Sequence, residues 1–225
     1  MPETTLLLTA ATVGAIAGVA LRVPLVQLGY RLPDEVEFPR PASWWVIPAT
    51  AAVTVLAWWA IAPGRPVLVP IVYTVAVWTM IPLAFVDLDV HRLPDRIQLP
   101  AYPVLALLLA ACSYASGDWS PFVRALIAGL VLWLLFLILG ILPGGGIGFG
   151  DVKLAGLLGM LLGWLSWTHV MRGTVATFLI GGVVALLVMA IAGKGRRDEF
   201  AYGPSMLLGA VVALIAPRAL QLLGY

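Results

Sequence analysis

The sequence has little charge. Asp, Glu, Lys and Arg make up 11% of its 225 residues, against roughly 25% in a soluble domain. With 62% of residues hydrophobic, there is too little polar surface to coat a globule in water, so lipid has to cover the outside. A basic patch is also missing. The formal net charge is +2, and the 13 Lys and Arg are scattered over short connecting segments. That excludes a nucleic-acid partner, which needs a clustered basic footprint. Cysteine is almost absent. Cys112 stands alone in an apolar run, so it can form neither an intramolecular disulfide nor a zinc site by itself. No Lys or Arg precedes the first apolar run, which therefore reads as a retained span rather than a cleaved signal peptide.

Apolar runs fill most of what remains. A membrane-spanning helix needs about 17–25 mostly apolar residues, and eight windows qualify or nearly so: 5–21, 44–62, 67–86, 99–115, 122–142, 152–167, 174–192 and 204–216. The sixth and eighth are short. The expected fold is all-α: a polytopic integral membrane protein of about eight transmembrane helices, forming one membrane-embedded domain over 1–225. Ala62-Pro63-Gly64-Arg65-Pro66 reads as a tight turn. A richer break runs from Pro143 through three glycines and Ile147 to Gly148, Phe149 and Gly150, and residues 193–199 form a charged turn.

Counting positive charge on alternate connections sets an expected orientation. One side collects Arg31, Arg40, Arg92, Arg96, Lys153, Lys194, Arg196 and Arg197, with Arg22 close by; the other holds Arg65, Arg124, Arg172 and Arg218. The richer side should be cytoplasmic, which puts the N terminus outside.

Acidic residues at the ends of apolar spans are costly and usually functional. Asp87 follows the third span, in Asp87-Leu88-Asp89-Val90-His91-Arg92-Leu93-Pro94-Asp95. Asp151 precedes the sixth, in Gly148-Phe149-Gly150-Asp151-Val152-Lys153. Two spans separate them, so both lie on one side of the membrane whichever way the chain is inserted. Two carboxylates can hydrolyse a peptide without a metal or a covalent nucleophile. One takes a proton from water while its protonated partner hydrogen-bonds the scissile carbonyl. Like charges close together cannot both ionise readily, so the pair shares a proton. Glycine before Asp151 permits close approach of a substrate strand.

Gly148-Phe149-Gly150-Asp151 matches the GxGD signature of intramembrane aspartyl proteases, and Val152-Lys153-Leu154 resembles its continuation in type IV prepilin peptidases. Asp87 with Leu93-Pro94-Asp95 resembles that family's other aspartate motif. Gly203-Pro204 resembles a Gly-Pro element near its C terminus. Gly14-Ala15-Ile16-Ala17-Gly18 and Arg31-Leu32-Pro33 resemble its first span and the start of its first cytoplasmic loop. The resemblance implies that Asp87 and Asp151 are the catalytic pair of a prepilin leader peptidase at the cytoplasmic face of a bacterial inner membrane. Gly148, Gly150, Asp89 and Asp95 would support the site or face a substrate's basic leader. Lys153 would either stabilise its charge or position a carbonyl. The substrates implied are prepilin-like proteins with an apolar N-terminal helix, and no metal or organic cofactor is implied. Many members of that family carry paired CxxC motifs after the first span and also methylate the new N terminus. Here the connection 29–43 holds no cysteine, so a peptidase without methyl transfer is expected.

Plainer readings stand beside these. Asp89 and Asp95 read equally well as part of a solvated loop of mixed charges, and the Asp34, Glu35 and Glu37 group as a wet loop balancing Arg31 and Arg40. Lys153 could simply reach the lipid headgroups. His91 reads as a loop residue, and His169 as one at the opposite interface. A proton-coupled transporter using the acids as a relay is the alternative function, although transporters favour broken helices at the bilayer midplane and an internal repeat. A non-catalytic assembly scaffold is a third possibility.

Overall fold

A computed structural model describes residues 3–142, 147–192 and 201–224. The glycines 144–146 and the charged turn 193–199 lie outside the described residues. Eight α-helices account for nearly all of the rest, and no strand occurs among the described residues. They are α1 (Glu3–Val26), α2 (Val46–Ile61), α3 (Leu68–Val90), α4 (Asp95–Ser116), α5 (Ser120–Ile141), α6 (Phe149–Leu165), α7 (Trp167–Ala192) and α8 (Gly203–Leu222), with a short 3-10 turn at Pro33–Glu35.

Six of the eight, all but α2 and α6, are long and apolar enough to cross a bilayer. The eighth element is longer than its apolar window suggests, because hydrogen bonding continues through Pro217 to Leu222. The third likewise runs past Val86 to Val90. Helical hydrogen bonds do not require apolar side chains, so hydropathy marks where lipid contact ends and not where a helix ends.

Helices α2 and α6 have 16 and 17 residues. Helix α6 is the interior element, with an unbroken buried run from Leu154 to Trp164. It packs against α4, α5, α7 and α8. Helix α3 is also interior: 61% of its apolar window is buried in protein, against 17% for α1. The outer helices turn leucines such as Leu107, Leu130 and Leu179 outward.

Between apolar helices in lipid, packing relies on close approach and on a few polar bonds. A Cβ at Gly159 would lie 2.6 Å from the carbonyl oxygen of Ala128 in α5, and one at Gly14 would lie 2.8 Å from the Cα of Ala51 in α2. The Tyr73 hydroxyl donates to the Leu161 carbonyl at 2.6 Å. Arg124 donates to the carbonyls of Gly163 and Trp164 at 2.6 and 2.7 Å, which satisfies the free carbonyls at the C-terminal end of α6.

Candidate active site

The end of α3 and the start of α6 meet at one end of the bundle. Helix α3 stops when His91 takes a left-handed conformation with φ 49°. Its backbone N–H donates to the Asp87 carbonyl at 3.0 Å. The chain then turns through Leu93 and Pro94 into α4. Gly150 lies against this connection, where an added Cβ would fall 2.9 Å from the Leu93 Cβ. That contact gives the second glycine of the Gly148-Phe149-Gly150-Asp151 motif a steric reason.

Asp87 sits inside the last turn of α3 and Asp151 inside the first turn of α6, rather than just beyond the helix ends. Both are buried, at 4% and 8% relative exposure. They are close enough for the charge of Asp87 to act on Asp151. The Gly203 backbone N–H, at the start of α8, donates to Asp87 Oδ2 at 2.9 Å. Asp151 Oδ2 accepts from the N–H of Gly148, the residue capping its own helix, at 3.3 Å. Asp151 Oδ1 is buried with no hydrogen-bond partner among the described residues. Tyr202 lies within range of the Asp151 charge. Three helices that are distant in sequence thus converge on two carboxylates.

Asp95 and Lys153 adjoin this pair. Lys153 Nζ donates to Asp95 Oδ1 at 2.5 Å and lies 4.7 Å from the centre of the Phe149 ring. Asp89 is turned elsewhere. Both of its oxygens are engaged by Arg31, at 2.7 and 2.8 Å, and the Tyr30 hydroxyl adds a bond of 2.6 Å. The Arg31 and Asp89 side chains are 2% and 4% exposed, so this ion pair is internal. Glu35 binds Arg92 at 2.8 Å and reaches back to the Leu32 N–H at 2.7 Å. These bonds hold the Glu35 carboxyl below the usual carboxylate range, the Arg92 bond being the larger cause. The wet-loop reading of this acidic group does not hold for Glu35, which is buried. Arg31 is balanced by Asp89 and Glu35 by Arg92, so the first connection is docked on the end of α3 by crossed pairs.

Two residues of this region carried no sequence signal. Gln98 Nε2 donates to the Gly150 carbonyl at 2.9 Å, and the Tyr102 hydroxyl donates to the Lys153 carbonyl at 2.6 Å. Among the described residues, no three His, Cys, Asp or Glu side chains gather as a metal site. A small, open apolar cleft of about 50 Å³ lies between α3, α4 and α6, lined by Thr79, Leu83, Ala101, Leu105 and Leu154 among others. Leu83 is one turn from Asp87 and Leu154 one turn from Asp151, so the cleft leads toward the carboxylates.

Residues 74–191, just over half of the chain, match the type IV leader peptidase family. Curated relatives are named prepilin leader peptidase/N-methyltransferase. The Aeromonas salmonicida protein is 27% identical over 204 residues, 90% of this chain and 60% of its own length. The Aeromonas hydrophila protein is 29% identical over 168 residues, 74% and 55% of the two chains. The Neisseria gonorrhoeae protein is 32% identical over 144 residues, 61% and 46%. The chain thus spans little more than half the length of the curated relatives it matches. No solved structure matches significantly. Several apolar helices and bacterial relatives make it a multi-pass protein of a bacterial inner membrane, and the chain belongs to the type IV leader peptidase family.

Proposed function

We propose that this protein is an intramembrane aspartyl endopeptidase that removes the basic leader from type IV prepilin-like precursors at the cytoplasmic face, with Asp87 and Asp151 as the catalytic pair. The observation that carries this reading is the convergence, at one end of the bundle, of two buried carboxylates from α3 and α6, with the charge of Asp87 acting on Asp151. Membership of a leader peptidase family supports it, and so do the names of the relatives.

The chemistry follows from the pair. One ionised carboxylate draws a proton from water, and the resulting oxygen nucleophile attacks the scissile carbonyl. The other carboxyl, protonated, hydrogen-bonds the carbonyl oxygen and stabilises the tetrahedral intermediate. The single shared proton belongs to the pair and not to either residue. The Gly203 amide orients Asp87, and the Gly148 amide orients Asp151. The substrate's apolar segment would stay helical in the bilayer, where the cleft between α3 and α4 offers an apolar path toward the pair. Its cleavage junction would be unwound, because a helical carbonyl is already hydrogen-bonded and covered. Cys112 is the sole cysteine in this sequence, so a CxxC-based methyl-transfer module is not part of the proposal.

Asp87→Asn and Asp151→Asn should each abolish cleavage of a purified prepilin-like substrate while membrane insertion is retained. The amide can neither accept water's proton nor share one. Near-normal processing by either variant would remove the catalytic assignment.

A further inference from the structure

Two carboxylates on different helices act together only if their supports hold them to within a fraction of an ångström. The contact between α4 and α6 is largely apolar, and apolar surfaces tolerate sliding. One residue of slip would carry Asp151 about 1.5 Å along the axis and about 100° around it. Something has to fix the register.

Helix α4 presents Asp95, Gln98 and Tyr102 at spacings of three and four, which places them in one stripe. All three bind the first two turns of α6. Lys153 Nζ donates to Asp95, but Asp95 is 56% exposed, and a pair so open contributes little. The other two are different. Gln98 is fully buried and donates to the Gly150 carbonyl, immediately before Asp151. Tyr102 donates to the Lys153 carbonyl. Its ring end fills the hollow left by Gly156, where a Cβ would come 2.1 Å from the phenol oxygen.

The two accepting carbonyls are three residues apart and lie on one side of α6. Each can accept a second hydrogen bond beyond its helical one, since a carbonyl oxygen has two lone pairs. Two points of attachment on one face fix both translation and rotation. The connection that leads from the Asp87 end of α3 into α4 also lies against α6, since a Cβ at Gly150 would fall 2.9 Å from the Leu93 Cβ.

We propose that Gln98 and Tyr102 are positioning residues that set the register of α6 and so hold Asp151 against Asp87. This inference rests on the reading of those two residues as the catalytic pair. Polar side chains placed singly in an apolar helix interface commonly have this role of fixing register.

The test uses the full-length protein in nanodiscs and two readouts. In the first, Gln98→Leu and Tyr102→Phe are assayed on a purified prepilin-like substrate. Each should lower kcat about tenfold or more with KM changed less than about twofold, since misplacement of a reacting group by about 1 Å costs on that order. Tyr102→Phe keeps the packing and decides the matter if Gln98→Leu does not fold. In the second, Asp87→Cys and Asp151→Cys are combined with Cys112→Ala and joined by a short bifunctional thiol reagent. Tyr102→Phe and Gln98→Leu should each slow that cross-linking measurably. Unchanged kcat with unchanged cross-linking overturns the proposal, and so does lost activity with unchanged cross-linking. The catalytic reading fails separately if Asp87→Asn or Asp151→Asn still cleaves, and the cross-linking readout does not depend on it.

Discussion

The Gly203 amide donates to Asp87 Oδ2 at 2.9 Å, joining the first residue of α8 to the last turn of α3 across 116 positions of sequence. A side chain at 203 would occupy the carboxylate's own place, since a Cβ there lies 2.7 Å from that same oxygen. Gly203→Ala should therefore rotate Asp87 out of position. Cleavage of a prepilin-like substrate should fall about tenfold or more, with the melting temperature in detergent little changed. Wild-type kcat in this variant would show that the Gly203–Asp87 bond does not orient the carboxylate.

The Arg31–Asp89 pair has its own consequence. Removing one member of a buried ion pair strands the other, at a cost of about 3–5 kcal/mol. Arg31→Met should destabilise the protein by that order, and Arg31→Met combined with Asp89→Leu should recover much of the loss. Thermal unfolding of the purified single and double variants measures both. A double variant as unstable as the sum of the singles would mean that the pair is not coupled.

Glu35 and Arg92 give a pH dependence with a definite sign. The Glu35 carboxyl is held below its usual range in the folded protein. Its contribution is therefore present above the unfolded pKa and is lost as pH falls through the folded value. Glu35→Gln should lower stability by about 1 kcal/mol at neutral pH, and the difference from wild type should shrink as the solution is acidified below pH ~4. Melting curves of both proteins across that interval provide the check. A gap that is constant with pH would exclude the ion pair as its source.

Orientation can be read in intact cells. With Cys112 replaced by Ala, single cysteines at Arg65 and Asp118 should react with a membrane-impermeant thiol reagent, and those at Glu37 and His91 should not. The count of positive charges on alternate connections is the basis for the expected side. Reaction at Glu37 and His91 alone would invert the orientation. Reaction at one of these two but not the other would break the alternation of spans.

The eight helices were legible because apolar runs long enough to form them are rare outside membranes, and the breaks carry Pro and Gly. Asp87 and Asp151 were legible because acids at span ends are costly. Gln98 and Tyr102 were not. A glutamine and a tyrosine near the start of an apolar helix look like ordinary interfacial residues, and only the packing of α4 on α6 shows their donors meeting carbonyls. The pairing of Asp89 with Arg31 was hidden for a related reason. Charge balance along a loop does not say which acid meets which base, and here the partners are 58 positions apart. Gly203 stood out only through its Gly-Pro neighbourhood, because a backbone donor leaves no trace in residue type.

The burial of α6 has a mechanical side. At 17 residues it is about 26 Å long, shorter than a hydrocarbon layer of about 30 Å. A lipid-bathed helix of that length would thin the bilayer or tilt its neighbours to cure the mismatch. Here α6 meets protein along nearly its whole length. Membrane thickness therefore acts on α1, α4, α5 and α7, most of whose apolar residues lie outside the protein interior, and it reaches the segment carrying Asp151 only through the protein neighbours of α6.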